Sequence, residues 1–314
     1  MKKKIKVAVI FGGPSAEHEV SLKSAKEVMN CLNRKKYEIL PLLITKKGKW
    51  NNKLLKSGNI DLAIIMGHGT FMEDGQLQLI LEALKIPYLF SKSSISALAM
   101  NKYKSKLIAK RNGIEAAKGK LIRKETRISY QKIIKELKLP IVIKPNALGS
   151  SIGVSIAYNE KEFQRGLRRA LRCGREILLE EFISGRELTV GVVEMKKTEA
   201  LLVVEIKPRI SKWFDYVAKY QKGGSDEICP AQIPISIARK TKRCAEKIFK
   251  AIGCRDLARA DFIWSEKDKK IYFLEINTIP GMTKTSIVPR AIKKAGYDLG
   301  QFFDALIRKR LSEK

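Results

Sequence analysis

Histidine is nearly absent, with only His18 and His68, and the five cysteines at 31, 173, 229, 244 and 254 form no C-x-x-C pair. A Cys/His zinc centre therefore lacks its donors, and any metal is expected to be oxygen-bound, which points to magnesium. A chain of 314 residues is too large to depend on disulfide staples, so the cysteines read as reduced thiols. The longest wholly apolar runs, such as Leu62 to Met66 (LAIIM), fall far short of the ~20 residues a spanning helix needs. The basic start MKKKIKVAVIFGG ends its apolar run at Gly12 without a small-residue cleavage site, so a cytoplasmic location is expected.

Acidic residues are also scarce, 32 against 63 basic, for a net charge of +31. Such an excess invites a polyanion partner. The basic residues, however, run from Lys2 to Lys314 on nearly every expected helix, without the interleaved aromatic platform of single-strand binders. Neither a nucleic acid nor a membrane is expected as a partner. Two phosphate motifs are missing as well. Gly12-Gly13 is followed by Pro14-Ser15-Ala16-Glu17, which breaks G-x-G-x-x-G, and Lys144 precedes its glycine, unlike the lysine of G-x-x-x-x-G-K.

What is present, 45% hydrophobic residues over this length, suffices for two or three domains. Residues 5 to 11 (IKVAVIF) read as a buried strand running into a Gly-rich turn. A helix follows, on which Leu22, Ala25, Met29 and Leu32 recur at helical spacing. Strands at Tyr37–Ile44 and Asp61–Met66 and a helix at Gln76–Leu84 complete an open parallel α/β sheet, with Gly12, Glu17, Gly67 and His68 gathered at its carboxyl end. An α+β region follows. Its strands 176–182, 187–193 and 200–206 read as one antiparallel set, and residues 207–233 as a long irregular loop, a lid candidate. The expected division is 1–92, 93–184 and 185–314.

Two stretches carry chemistry. In IVIKPNALGSSIG, from Ile141 to Gly153, a strand lysine precedes a Gly-Ser flap that either cradles phosphate or merely turns. In LARADFIW and IYFLEIN, Arg259 with Asp261, and Glu275 with Asn277, stand two apart and so share a strand face. If the hairpin register aligns those faces, Asp261, Glu275 and Asn277 converge as oxygen ligands; otherwise they are solvated hairpin residues. Phe262, Ile263, Leu274 and Ile276 read as burying the other face. Pro280-Gly281 beyond them is either a type II turn or a source of backbone donors for an oxyanion.

The segments FGGPSAEHEVSLKSA, HGTFMEDGQLQ, SALAMNKYKSK, IVIKPNALGSSIGVS, LLEEFISGRELTV, FDYVAKY, EICPA, ARADF and FLEINTIPGMTKTSIVP, in this order, resemble the D-alanine–D-alanine ligases of the ATP-grasp superfamily. The resemblance implies an N-terminal open parallel sheet followed by a two-part ATP-grasp fold. It also implies ATP-dependent joining of two D-alanines through an acylphosphate for peptidoglycan precursors, two Mg²⁺ or Mn²⁺ ions, and a homodimer. By matched position, Lys102 and Lys144 would contact ATP phosphates, Glu180 and Glu187 the adenine side and ribose, Glu181, Phe182 and Ile183 the adenine through their backbone, and Lys219 the γ-phosphate. Asp261, Glu275 and Asn277 would hold the metal ions. Glu17 would orient the first D-alanine, linked through Ser150 and Tyr220 to the lid, with His68 nearby unless it is only a turn residue. Arg259 and Gly281 would stabilise the oxyanion, and Ser286 would receive the second carboxylate. Tyr220 favours an amine over D-lactate as nucleophile. Departures are Leu148 where glutamate is frequent, Asn101 where aspartate is, and Thr285 where histidine is. The alternatives are a ligase of the same fold acting on another amino acid, and a basic nucleotide- or nucleic-acid-binding protein without ligase activity.

Overall fold

In the computed structural model, which describes residues 3–126, 128–209 and 223–313, three sheets stand in sequence order along the chain. The first is parallel, in the order β2 (Tyr37–Ile44), β1 (Ile5–Gly12), β3 (Leu62–Ile65). Val7 to Ile10 and all of β3 are buried, as expected of apolar runs covered on both faces. Helix α1 (His18–Cys31) turns Ser21, Ser24, Ala25 and Val28 inward, a face shifted by one residue from the Leu22–Met29 stripe. Ser21 explains the shift: Gly12 N–H donates to its hydroxyl at 2.6 Å and the hydroxyl donates to the Met66 carbonyl at 2.6 Å, tying the ends of β1 and β3 together. Gly12 sits at φ +91°, where a Cβ would lie 2.2 Å from the Ile44 carbonyl oxygen, so only glycine fits this strand exit.

The second sheet, antiparallel, orders β4 (Gly119–Arg123), β7 (Glu176–Glu181), β5 (Ile141–Pro145) and β6 (Ser155–Ala157). Helix α7 (Glu160–Cys173) packs Phe163 and Ala170 on it, capped by Asn159, whose side chain accepts from Glu162 N–H at 2.9 Å. The third sheet orders β10 (Ser225–Ile228), β9 (Thr198–Pro208), β8 (Arg186–Glu194), β11 (Leu257–Ser265) and β12 (Lys270–Asn277). The helix Ile235–Ile252 covers it, together with α4 (Ser93–Met100) and α5 (Lys102–Arg111), which share its core through Ala99 and Ala109. The C-terminal helices Ile287–Lys294 and Leu299–Ser312 return to the core of the first sheet.

Two expectations are corrected. The strands at 176–181 and 186–194 lie in different sheets, because only residues 182–185 separate them and the chain crosses over there. Gly185 makes the crossing possible, since a Cβ at that position would stand 2.3 Å from the Trp264 carbonyl oxygen. Nor are residues 207–233 one irregular loop. β9 runs on to Pro208 and β10 pairs back on it, Ser225 opposite Pro208 and Ile228 opposite Glu205, with Arg209 Nε 2.6 Å from Asp226 closing the ladder. The middle of that stretch, with Lys219 and Tyr220, lies outside the described residues.

Candidate active site

The hairpin β11–β12 sets the register on which the ligand reading depends. Asp261 stands opposite Glu275 and Arg259 opposite Asn277, so all four side chains share one face. Phe262 then pairs with Phe273, leaving Leu274 as an extra residue in a bulge. The bulge changes which residues go inward. Ala258, Ala260, Phe262, Ile271, Phe273 and Ile276 enter the core, whereas Ile263 and Leu274, expected on that buried face, line a cavity beside Glu275. Ile263 does so by strand parity with Arg259 and Asp261, and Leu274 because the bulge rotates it.

Two adjoining cavities meet at Lys102, Glu187 and Glu275, which line both. The first, about 170 Å³, gathers Glu17, His68, Ser150, Arg259, Asp261, Asn277, Gly281 and Ser286 among aliphatic neighbours such as Ile279 and Val288. The second, about 160 Å³, is walled by Val142, Ile156, Ile263 and Leu274 and holds Lys144 and Glu180 with the Glu181–Ile183 segment. Every described residue to which the resemblance gave a role in the site therefore lines one of these cavities, whereas Gly12 and Gly67, expected beside Glu17 and His68, line neither.

The charges are tightly partnered. Arg259 straddles Asp261, with Nε 2.9 Å from Oδ1 and a terminal nitrogen 2.8 Å from Oδ2; the Thr189 hydroxyl and the Asn277 amide (3.2 Å) donate to the same carboxylate. Although burial opposes it, Asp261 and Glu275 hold the Arg259 guanidinium firmly ionised. Lys102 reaches Glu275 at 3.0 Å and donates to the Leu148 carbonyl at 2.6 Å. Thus Leu148, the unusual residue of the flap, contributes its backbone oxygen to a site lysine and also lines the second cavity. Asn101 serves as the N-cap of α5, accepting from Lys104 N–H at 3.0 Å. Ser150 and Ser151 both hold positive φ, 55° and 56°, a costly backbone that bends the flap toward Glu17.

At the other end, His68 Nδ1–H donates to the Ile279 carbonyl at 3.0 Å. Burial pulls its pKa down against the pull of Glu17, so the imidazole stays neutral and Nε2, unpartnered among the described residues, is an acceptor. Ser286 Oγ accepts from Thr283 N–H at 3.1 Å and lies beside Gly281.

Three contributors escaped sequence reasoning. Glu73, within the quoted HGTFMEDGQLQ, accepts from Gly69 and Ile279 N–H, both at 3.3 Å, and joins the loop after β3 to the loop after β12. Thr189 supports Asp261, and Lys106 contacts Glu180 at 2.5 Å. For Lys106 a signal existed, since it follows Lys102 at helical spacing. Asp261, Glu275 and Asn277 offer an oxygen donor set suited to magnesium. Among the described residues no three His, Cys, Asp or Glu side chains converge on one metal position, so the amide of Asn277 is needed to complete the set.

Two family descriptions match in sequence, the D-ala D-ala ligase N-terminus over residues 6–60 and its C-terminus over 108–308. A D-alanine–D-alanine ligase of Clostridium beijerinckii is 38% identical over 304 residues, spanning 97% of this chain and 98% of that protein. Among solved structures, the VanG D-Ala:D-Ser ligase of Enterococcus faecalis is 30% identical with a TM-score of 0.88, over 98% of this chain and all of that one. The Bacillus anthracis D-alanine–D-alanine ligase complexed with ATP is 30% identical with a TM-score of 0.83, over 99% of this chain and 100% of that one. The architecture, an open parallel sheet ahead of two antiparallel sheets that enclose adjoining cavities, is thus the ATP-grasp arrangement of these enzymes. Carrying both matched regions in order, and aligned along nearly its whole length, the chain belongs to the D-alanine–D-alanine ligase family.

Proposed function

We propose that this chain joins two D-alanines into D-alanyl-D-alanine, consuming ATP through an acylphosphate and releasing ADP and phosphate for peptidoglycan precursors in the cytoplasm. The observation that carries the reading is the junction of the two cavities at Lys102, Glu187 and Glu275. It gives an apolar-walled nucleotide pocket that opens into an amino-acid pocket where phosphoryl transfer would occur.

In the second cavity, the Glu181–Ile183 backbone meets adenine, Glu180 stands on the adenine side and Glu187 meets the ribose, while Lys144 and Lys102 meet phosphate oxygens. Glu17 attracts the first ammonium group, with neutral His68 beside it. Arg259 and the Gly281 N–H face the oxyanion that develops when the second amine attacks the acylphosphate carbonyl, a charge that fixed donors stabilise most strongly in a dry site. Ser286 takes the second carboxylate. Lys219 and Tyr220 would close the site from the segment between β9 and β10. Asp261, Glu275 and Asn277 would hold two Mg²⁺ or Mn²⁺ ions, which would neutralise charge on the phosphoryl oxygens. Lys102 and Arg259, which now occupy Glu275 and Asp261, would turn toward phosphate and oxyanion when the cations arrive. A homodimer is proposed from the family likeness.

Coupled measurement of ADP and dipeptide from D-alanine with Mg-ATP tests the reading. D-alanine should yield dipeptide, and folded protein that forms none sinks it. The VanG neighbour acts with D-Ser, so competition between D-alanine and D-serine as second substrate belongs in the same assay. D-alanine should win, and D-lactate should be a poorer nucleophile than either. Preference for D-lactate at neutral pH would overturn the reading of Tyr220.

A further inference from the structure

Lys106 has no role in the reaction as laid out above. It lies one helical turn beyond Lys102 on the same face of α5, yet it lines neither cavity. It sits behind Glu180, 4% exposed, with Nζ 2.5 Å from Oε1. The other oxygen of that carboxylate is 2.6 Å from Lys144 Nζ. Glu180 itself is 2% exposed, so one buried carboxylate is shared by two buried ammonium groups, of which only Lys144 faces the second cavity.

The arrangement bears on how Lys144 is released to a ligand. Were Glu180 paired with Lys144 alone, a phosphate drawing Lys144 away would strand an uncompensated carboxylate in the interior, which is strongly unfavourable. With a second ammonium behind it, Glu180 stays compensated while Lys144 leans into the cavity. We propose that Lys106 is a positioning residue for nucleotide binding: it neutralises Glu180 from behind and leaves the charge of Lys144 available to phosphate. The inference rests on the nucleotide reading of the second cavity. Two further features agree with it. Burial lowers the Lys106 pKa to about 8, with Glu180 opposing that shift and Lys144 adding to it, as expected when two ammonium groups compete for one carboxylate. Glu180, despite its burial, is held ionised below the usual carboxylate range by Lys106 and Lys144 together.

Calorimetric titration with ADP of the wild type, Lys106→Met, Glu180→Gln and the double variant tests the proposal, with kcat and the KM for ATP measured on the same proteins. Lys106→Met should weaken ADP binding and raise the KM for ATP by about tenfold or more, with kcat at saturating ATP changed by less than about threefold. In the Glu180→Gln background the same substitution should change ADP affinity by less than about twofold, because no carboxylate remains to be compensated. Unchanged ADP affinity in Lys106→Met, an equal loss in both backgrounds, or a loss confined to kcat would each overturn the proposal. Should Lys106→Met melt too early to titrate, Lys106→Gln, which keeps a donor toward Glu180 without the charge, carries the same comparison. Wild-type protein that binds ADP but forms no dipeptide would defeat the ligase reading and leave the Lys106 comparison intact.

Discussion

Glu73 allows the electrostatics of the site to be read from stability alone. The residue is 7% exposed, and burial together with repulsion from Glu17 raises its pKa from 4.5 to about 7, against the pull of the Gly69 and Ile279 N–H groups and Arg259. Between those two values the native protein holds a proton that the unfolded chain has released, so stability falls as pH rises through the window. At 1.36 kcal/mol per unit, the full penalty is about 3 kcal/mol, most of which develops between about pH 5 and pH 8. Glu73→Gln removes the titration and, by placing an amide donor against one of the two N–H groups, costs about 1–2 kcal/mol at every pH. The variant should therefore be less stable than wild type near pH 5 and more stable near pH 8. Urea unfolding of both proteins across that range measures the crossing. A difference between them that stays flat with pH would refute the account of a buried, protonated Glu73.

Two other substitutions separate catalysis from scaffold. Lys144→Ala and Glu275→Ala should each lower kcat/KM for dipeptide formation by about 100-fold or more while leaving a cooperative thermal transition, because both side chains project into the cavities. Full retention of D-alanine-dependent phosphate release in either variant would break the site assignment. Gly12→Ala should do the opposite, losing about 2 kcal/mol or more of stability, since its methyl would meet the Ile44 carbonyl at a positive φ. A thermal midpoint within a degree or so of wild type would contradict that geometry.

Periodicity carried most of the fold. The apolar run at 5–11, the strand Tyr37–Ile44 and the helices His18–Cys31 and Gln76–Ala83 stand out because burial on one face or two imposes a repeat of 2 or 3.6 on the chain. Sheet membership was not legible. β7 and β8 are both short apolar runs, and nothing in their composition reveals that the chain changes sheets at Gly185, where the determinant is the nearness of Trp264, distant in sequence. The β9–β10 ladder was hidden for a similar reason, since SDEI has no apolar alternation and is held by Arg209 and by backbone pairing.

For the site, strand parity placed Arg259 with Asp261 and Glu275 with Asn277 on one face of their own strands, and the hairpin register that joins the two faces is legible only in the structure. A strict two-residue alternation would send Leu274 into the core behind Glu275. The bulge instead turns Leu274 and Glu275 toward the same side, so that an apolar wall and a carboxylate come from adjacent residues. This is how one strand furnishes both the apolar side of the second cavity and a ligand shared with the first. Lys106 and Glu73 belong to the same class of hidden determinant. Each is an ordinary charged residue in sequence, and each acquires its role only when folding buries it against a partner contributed by another element, β7 for Lys106 and the loop after β12 for Glu73.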